Sequence, residues 1–181
     1  MGYLQKKLTS SQIIIIGFAL VILFGALLLM LPFATIDGKS AMFKDALFTA
    51  TSAVCVTGLI VQDTATYWSY FGQGVILVLI QIGGMGVVTL AVALTMLSGK
   101  RISLKQRSTM QEAISAPQVG GIVKFTGFIL KMTLIFEILG AILMSPIFCR
   151  EYGLFKGIWY SLFHSISAFC NAGFDLMGVK E

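Results

Sequence analysis

From Ile13 to Ala34 the chain reads IIIIGFALVILFGALLLMLPFA, without one charged residue. At about 1.5 Å per residue, a helix of that length crosses the ~30 Å hydrocarbon layer of a bilayer. Lys6 and Lys7 precede the run, as in a secretory signal. A signal core, however, has only ~7–15 apolar residues before a small-residue cleavage site. The run is too long for that and predicts a membrane helix. N-myristoylation is not predicted, because Lys6 stands where the acceptor pattern needs Ser or Thr. The remaining composition fits a lipid environment. Hydrophobic residues make up 57% of the 181-residue chain and charged residues 12%, against ~45–50% and ~25% in soluble domains. The mean hydropathy is +0.91. So little polar surface cannot cover a water-soluble particle.

Two further apolar blocks extend from about Phe71 to Leu97 and from about Ile122 to Phe148. The last contains Lys124, Lys131 and Glu137. Lys124 lies near an end and can reach the interface, whereas Glu137 is deep and needs a partner or water. The separation of Lys131 and Glu137 amounts to about 240° around a helix. They do not pair with each other, and each is expected to face the protein interior. The loops set the orientation. The tail 1–12 carries Lys6 and Lys7, and the 98–121 loop carries Lys100, Arg101, Lys105 and Arg107 against Glu112. The 35–70 segment balances Lys39 and Lys44 with Asp37, Asp45 and Asp63. The positive-inside rule puts the tail and the 98–121 loop in the cytoplasm and 35–70 outside. The net charge of +5 thus flanks apolar spans and speaks for a lipid bilayer, not nucleic acid. A multi-pass protein of the plasma membrane is expected.

Between the first two spans, Phe43 to Val61 reads FKDALFTATSAVCVTGLIV. It is apolar enough to enter a membrane and too short to cross and return as two full helices. A re-entrant segment is predicted, in which a half-helix enters from outside and the chain climbs back extended. The pattern recurs. Leu47, Phe48, Ser52, Ala53, Cys55 and Gly58 match Leu162, Phe163, Ser167, Ala168, Cys170 and Gly173 at a constant offset of 115. Six identities in one gapless window indicate an internal repeat of helix, re-entrant loop and helix. The plan is a tail 1–12, repeat one 13–97 with its loop at 41–61, a basic loop 98–121, and repeat two 122–181. The second repeat stops at Glu181 without a returning helix.

A half-helix that stops inside the bilayer presents its partially negative C-terminal end and the carbonyls that follow. Rings of such carbonyls replace the hydration shell of a permeating cation. Gly58 and Gly173 suit the role, since glycine turns its carbonyl at little steric cost. Val56-Thr57 and Asn171-Ala172 contain no acid, so neutral dipoles suited to a monovalent alkali ion are expected. SAVCVTGL, LIQIGGMG (Leu79 to Gly86) and SAFCNAGFDL resemble the Ktr/Trk/HKT superfamily of potassium transporters, and the membrane subunits of bacterial Ktr systems in particular. The resemblance covers essentially the whole chain. It implies an all-α membrane fold of four helix–pore-loop–helix repeats around a pseudo-fourfold axis, of which about one and a half are here. It implies filter strands at Cys55, Val56, Thr57 and Gly58 and at Cys170, Asn171, Ala172 and Gly173, holding potassium as the transported ion. It further implies sodium as a candidate coupling ion, no covalent cofactor, a homodimer, and a cytoplasmic nucleotide-binding ring facing 100–107. Two filter loops cannot close a fourfold ring, so the chain is expected to be the N-terminal part of a longer protein, ahead of the alternative that it is half of a pore assembled from several chains.

The other candidates have plainer readings. Gly83, Gly84 and Gly86 are read as small residues for close helix packing, ahead of a hinge. Lys131 and Glu137 are the candidate intramembrane charges. His164, the only histidine, is expected to be a packed structural residue ahead of a pH sensor. Cys55 and Cys170 are expected to be small and buried. Three cysteines without framework spacing imply no disulfide scaffold. Walker A, GxGxxG and HExxH patterns are missing, and one histidine leaves little room for a triad or a zinc site, so no enzyme is expected. The competing reading is a non-conducting membrane scaffold or partner subunit whose loops only pack.

Overall fold

The computed structural model describes residues 9–86 and 122–178. The chain forms α1 (Ser10–Leu29), a 3-10 turn (Pro32–Ala34), α2 (Phe43–Val54), α3 (Tyr70–Met85), α4 (Ile122–Tyr152) and α5 (Leu154–Phe169). Among the described residues it is all-helical, with one isolated antiparallel bridge between Thr35 and Trp68. The tail 1–8, the block from 87 to Leu97 and the basic 98–121 loop lie outside the described residues.

Two described helices are long and apolar enough to cross a membrane. Ser11–Leu29 has a mean hydropathy of 2.8 and Phe125–Tyr152 one of 2.0. α1 starts at a capping box, in which Thr9 and Gln12 each satisfy the other's backbone amide. α4 carries Pro146 in its interior, and a proline nitrogen cannot donate to the Ile142 carbonyl. Ser145 Oγ donates to that carbonyl instead, at 2.8 Å, so no bare acceptor is left facing lipid.

α2 is different. It has 12 residues, a rise of about 18 Å, too short to cross. Ile36 N donates to the Tyr67 carbonyl at 3.0 Å and Ser69 N to the Ala34 carbonyl at 2.9 Å. The chain between these bonds therefore leaves from and returns to one place, carrying α2 inside the excursion. Close packing holds the frame. Gly25 lets the Leu79 side chain sit on α1, and Gly72 lies directly on the Ala34 carbonyl. Between α4 and α5 the chain turns at Gly153, with φ 82, and Gly157 rests on the backbone of Phe148 and Cys149 with no room for a Cβ. Small residues that let backbones approach are the usual means of helix association in lipid. The buried centre is formed by Ala46, Ala50, Ala53 and Val54 of α2, Ile76 and Ile80 of α3, Trp68, and Phe163 of α5. Two buried polar atoms, Thr49 Oγ1 and Trp68 Nε1, have no hydrogen-bond partner among the described residues.

Candidate functional site: two matched loops

α2 and α5 end in the same way. Each closes on a cysteine, Cys55 and Cys170, and the following residue turns left-handed, Val56 at φ 55 and Asn171 at φ 57. Val56 N then donates to the Ala53 carbonyl at 3.3 Å and Thr57 N to Ser52 at 3.0 Å. In the second loop Asn171 N donates to Ala168 at 3.0 Å and Ala172 N to Ser167 at 2.7 Å. This pair of bonds is a Schellman closure, which satisfies the last helical carbonyls and turns the chain aside. Gly58 and Gly173 follow at φ 70 and φ 73, a conformation that glycine adopts without steric penalty.

The two glycines meet. A methyl built on Gly58 lies 2.7 Å from the Ala172 carbonyl oxygen and 3.1 Å from Gly173 Cα; one built on Gly173 lies 3.3 Å from Gly58 Cα. Both helix C-termini, with their partial negative charge, are within four residues of this junction. Thr57, Asn171 and Gly173 are exposed, Val56, Gly58 and Cys170 are half-buried, and Ala172 is buried. Cys55 is exposed, against the expectation of burial, while Cys170 is half-buried. Among the described residues no group of three or more His, Cys, Asp or Glu is placed to hold a metal ion.

α3 runs beneath both loops. Gly83 lies on the Val54 carbonyl at the end of α2, and Gly84 lies on Cys170 at the end of α5, where a methyl would be 2.5 Å from the sulfur. One glycine thus serves each loop, and Gly86, at φ 80, caps the helix. Glu137 is only 3% exposed. Gln81 Nε2 of α3 donates to Glu137 Oε1 at 2.8 Å, and Cys170 Sγ donates to Gln81 Oε1 at 4.0 Å. Ser165 Oγ of α5 donates to the Glu137 carbonyl at 2.6 Å. Gln81 is a residue the sequence reading missed. Lys131 corrects another expectation, for it is exposed. The angular separation of about 240° explains this, since turning Glu137 towards α3 and α5 swings Lys131 away from them.

Comparison with known proteins then bears on identity. Residues 5–179 match the family model for TrkH, described as a cation transport protein. The chain belongs to the TrkH family of cation transport proteins. It is therefore a membrane protein of a transport family. Its relatives include the potassium/sodium uptake protein NtpJ of Enterococcus hirae, 45% identical over 174 residues, with 96% of this chain and 39% of that protein covered. The Ktr system potassium uptake protein B of Bacillus subtilis is 46% identical over 170 residues, with 94% of this chain and 38% of that protein covered. The Ktr system potassium uptake protein D of Bacillus subtilis is 36% identical over 178 residues, covering 98% and 40%. The TrkH-family chain thus spans about two fifths of the length of these curated relatives.

Proposed function

We propose that this chain supplies the first two carbonyl-lined loops of a potassium uptake pathway across the plasma membrane. The single observation that carries the reading is the contact of Gly58 with Gly173 in matched backbone conformations. Two helix ends meeting through turned carbonyls make a surface that can take the place of water around a cation. The segments 55–58 and 170–173 contain no acid, which favours a weakly held monovalent ion that can also leave. Each loop is read as re-entrant, flanked by spans of a multi-pass protein whose N-terminus is cytoplasmic. The return of the first loop to its own starting point supports that reading.

The names of the relatives support potassium as the substrate, with sodium as a second or coupling ion. In the whole protein we infer a homodimer in the lipid bilayer, regulated by a cytoplasmic nucleotide-binding ring docked on the basic 100–107 run. Two loops do not enclose an axis. Liposomes holding the 181-residue chain alone are therefore expected to show no potassium flux. The reading is tested in the full-length transporter with Gly58→Ser, which puts a side chain onto the Ala172 carbonyl. Potassium-over-sodium selectivity in uptake assays should fall. Unchanged selectivity would favour a non-conducting scaffold and sink the proposal.

A further inference from the structure

His164 sits on α5 at the position Thr49 occupies on α2. Leu176 N donates to its Nε2 at 3.2 Å, so Nε2 carries no proton. Nδ1 lies 2.7 Å from the Tyr160 carbonyl, and since a carbonyl only accepts, Nδ1 is the donor. The ring is therefore neutral, in the Nδ1–H tautomer. Phe148 of α4 stacks on it, with centroids 5.0 Å apart and planes 19° apart. Three residues further along α5, Ser167 Oγ donates to the Phe174 carbonyl at 2.6 Å. The strand after Gly173 is thus fastened to α5 at two points, and Phe174 and Leu176 are only 2% and 1% exposed. The first loop has no such clamp. Ser52 there bonds the Thr57 hydroxyl at 2.9 Å, Thr49 Oγ1 has no partner among the described residues, and Leu59 and Val61 are 61% and 52% exposed.

The geometry points to His164 as a positioning residue: its neutral imidazole fastens Leu176 to α5 and thereby fixes where the Gly173 carbonyl stands in the cation pathway. The inference rests on the reading of 170–173 as a filter strand. Its basis is directional. One nitrogen is anchored to the helix that ends at Cys170, and the other holds the strand three residues past Gly173, so the strand cannot slide along α5 without losing one bond.

Two variants of the full-length transporter, reconstituted in liposomes, separate this role from simple packing. His164→Asn keeps a donor near the Nδ1 position and has no atom at Nε2, whereas His164→Gln carries an amide oxygen to about the Nε2 position. The Asn variant should lose roughly five- to tenfold in potassium-over-sodium preference and gain a similar factor in KM for potassium, with maximal rate changed less than about twofold. The Gln variant should recover native selectivity to within about twofold. Native behaviour of the Asn variant, or equal impairment of both, overturns the inference. Loss of folded protein in both variants also overturns it, because His164 is then only structural. Gly173→Ser in the same assay separates the two levels. If it leaves selectivity intact, the filter reading fails and the clamp with it; if it removes selectivity while His164→Asn does not, only the role of His164 is lost.

Discussion

The two loops share a backbone and differ in what holds it. From Cys55 to Gly58 and from Cys170 to Gly173 the turns, the closing hydrogen bonds and the left-handed positions coincide residue for residue. Around them little is shared. The first loop is tied at its base, where Gln62 Nε2 donates to Asp45 Oδ2 at 3.2 Å, and its return strand is open. The second is tied along its length by Ser167, His164 and the α4 carbonyl under Ser165. The repeat thus keeps the conformation of the carbonyl-bearing segment and lets its supports diverge. Such a division is expected if the segment must meet a symmetric ion while each support meets its own neighbours.

The comparison breaks most easily at the glycines. Both sit near φ +70, so an alanine at either bears the left-handed penalty of ~1–2 kcal/mol. Only Gly58 also faces a backbone oxygen at 2.7 Å, whereas the nearest atom to a Gly173 methyl is 3.3 Å away. Gly58→Ala should therefore lower potassium selectivity of the full-length transporter well beyond Gly173→Ala, read by potassium uptake in competing sodium. Equal losses would mean that the contact between the loops does not matter.

Next in size is the support beneath the second loop. Among the described residues, Gln81 is the side chain that donates to the buried Glu137 carboxyl. Gln81→Leu removes that donor and should lower stability by about 1–3 kcal/mol, seen as a drop in thermal unfolding temperature in detergent. Glu137→Gln keeps a hydrogen-bond partner and should shift it by less than half as much. If Gln81→Leu melts like the native protein, Glu137 draws its support from elsewhere.

These residues also mark where the sequence was readable. Long apolar runs mark α1, which carries no charge, and α4, which carries few for its length, because lipid permits few other uses of such stretches. The constant offset marks the two loops, because the closing cysteine and the glycine three residues on recur in the same local turn. Gln81 gave no signal, since a neutral amide inside a glycine-rich helix does not announce which helix it faces. The cost of a charge in lipid predicts an inward Lys131, yet its exposure follows from the rotation that buries Glu137. His164 was readable as packed, but its two bonds depend on a strand that comes back beside α5, a tertiary fact that no local pattern holds. The alignment treats Cys55 and Cys170 alike, yet Cys55 is exposed and Cys170, with Gly84 of α3 on its sulfur, is half-buried.

A smaller effect distinguishes the turns themselves. Asn171 tolerates the left-handed region, whereas Val56, β-branched, is strained there. Val56→Asn should raise the unfolding free energy by about 1 kcal/mol, and Asn171→Val should lower it by a similar amount. The double exchange should then melt close to the native protein. If both single changes destabilise, the Val56 side chain makes packing contacts that outweigh its backbone strain.

The smallest effect expected lies one turn before each closing motif, at the aligned pair Thr49 and His164. The histidine has both nitrogens bonded, while the threonine hydroxyl is buried without a partner among the described residues. An unpaired buried hydroxyl forfeits its hydration and gains nothing in return. Thr49→Val keeps the β-branched shape that the helix already accommodates and removes that burden. It should leave transport unchanged and raise stability by up to about 1 kcal/mol. His164→Leu, by contrast, orphans the Leu176 amide and should lower stability. Opposite signs at equivalent positions in chemical or thermal unfolding would show that the two supports obey different rules under one backbone. A destabilised Thr49→Val would instead reveal that its hydroxyl is paired in the assembled transporter, and the asymmetry between the loops would shrink accordingly.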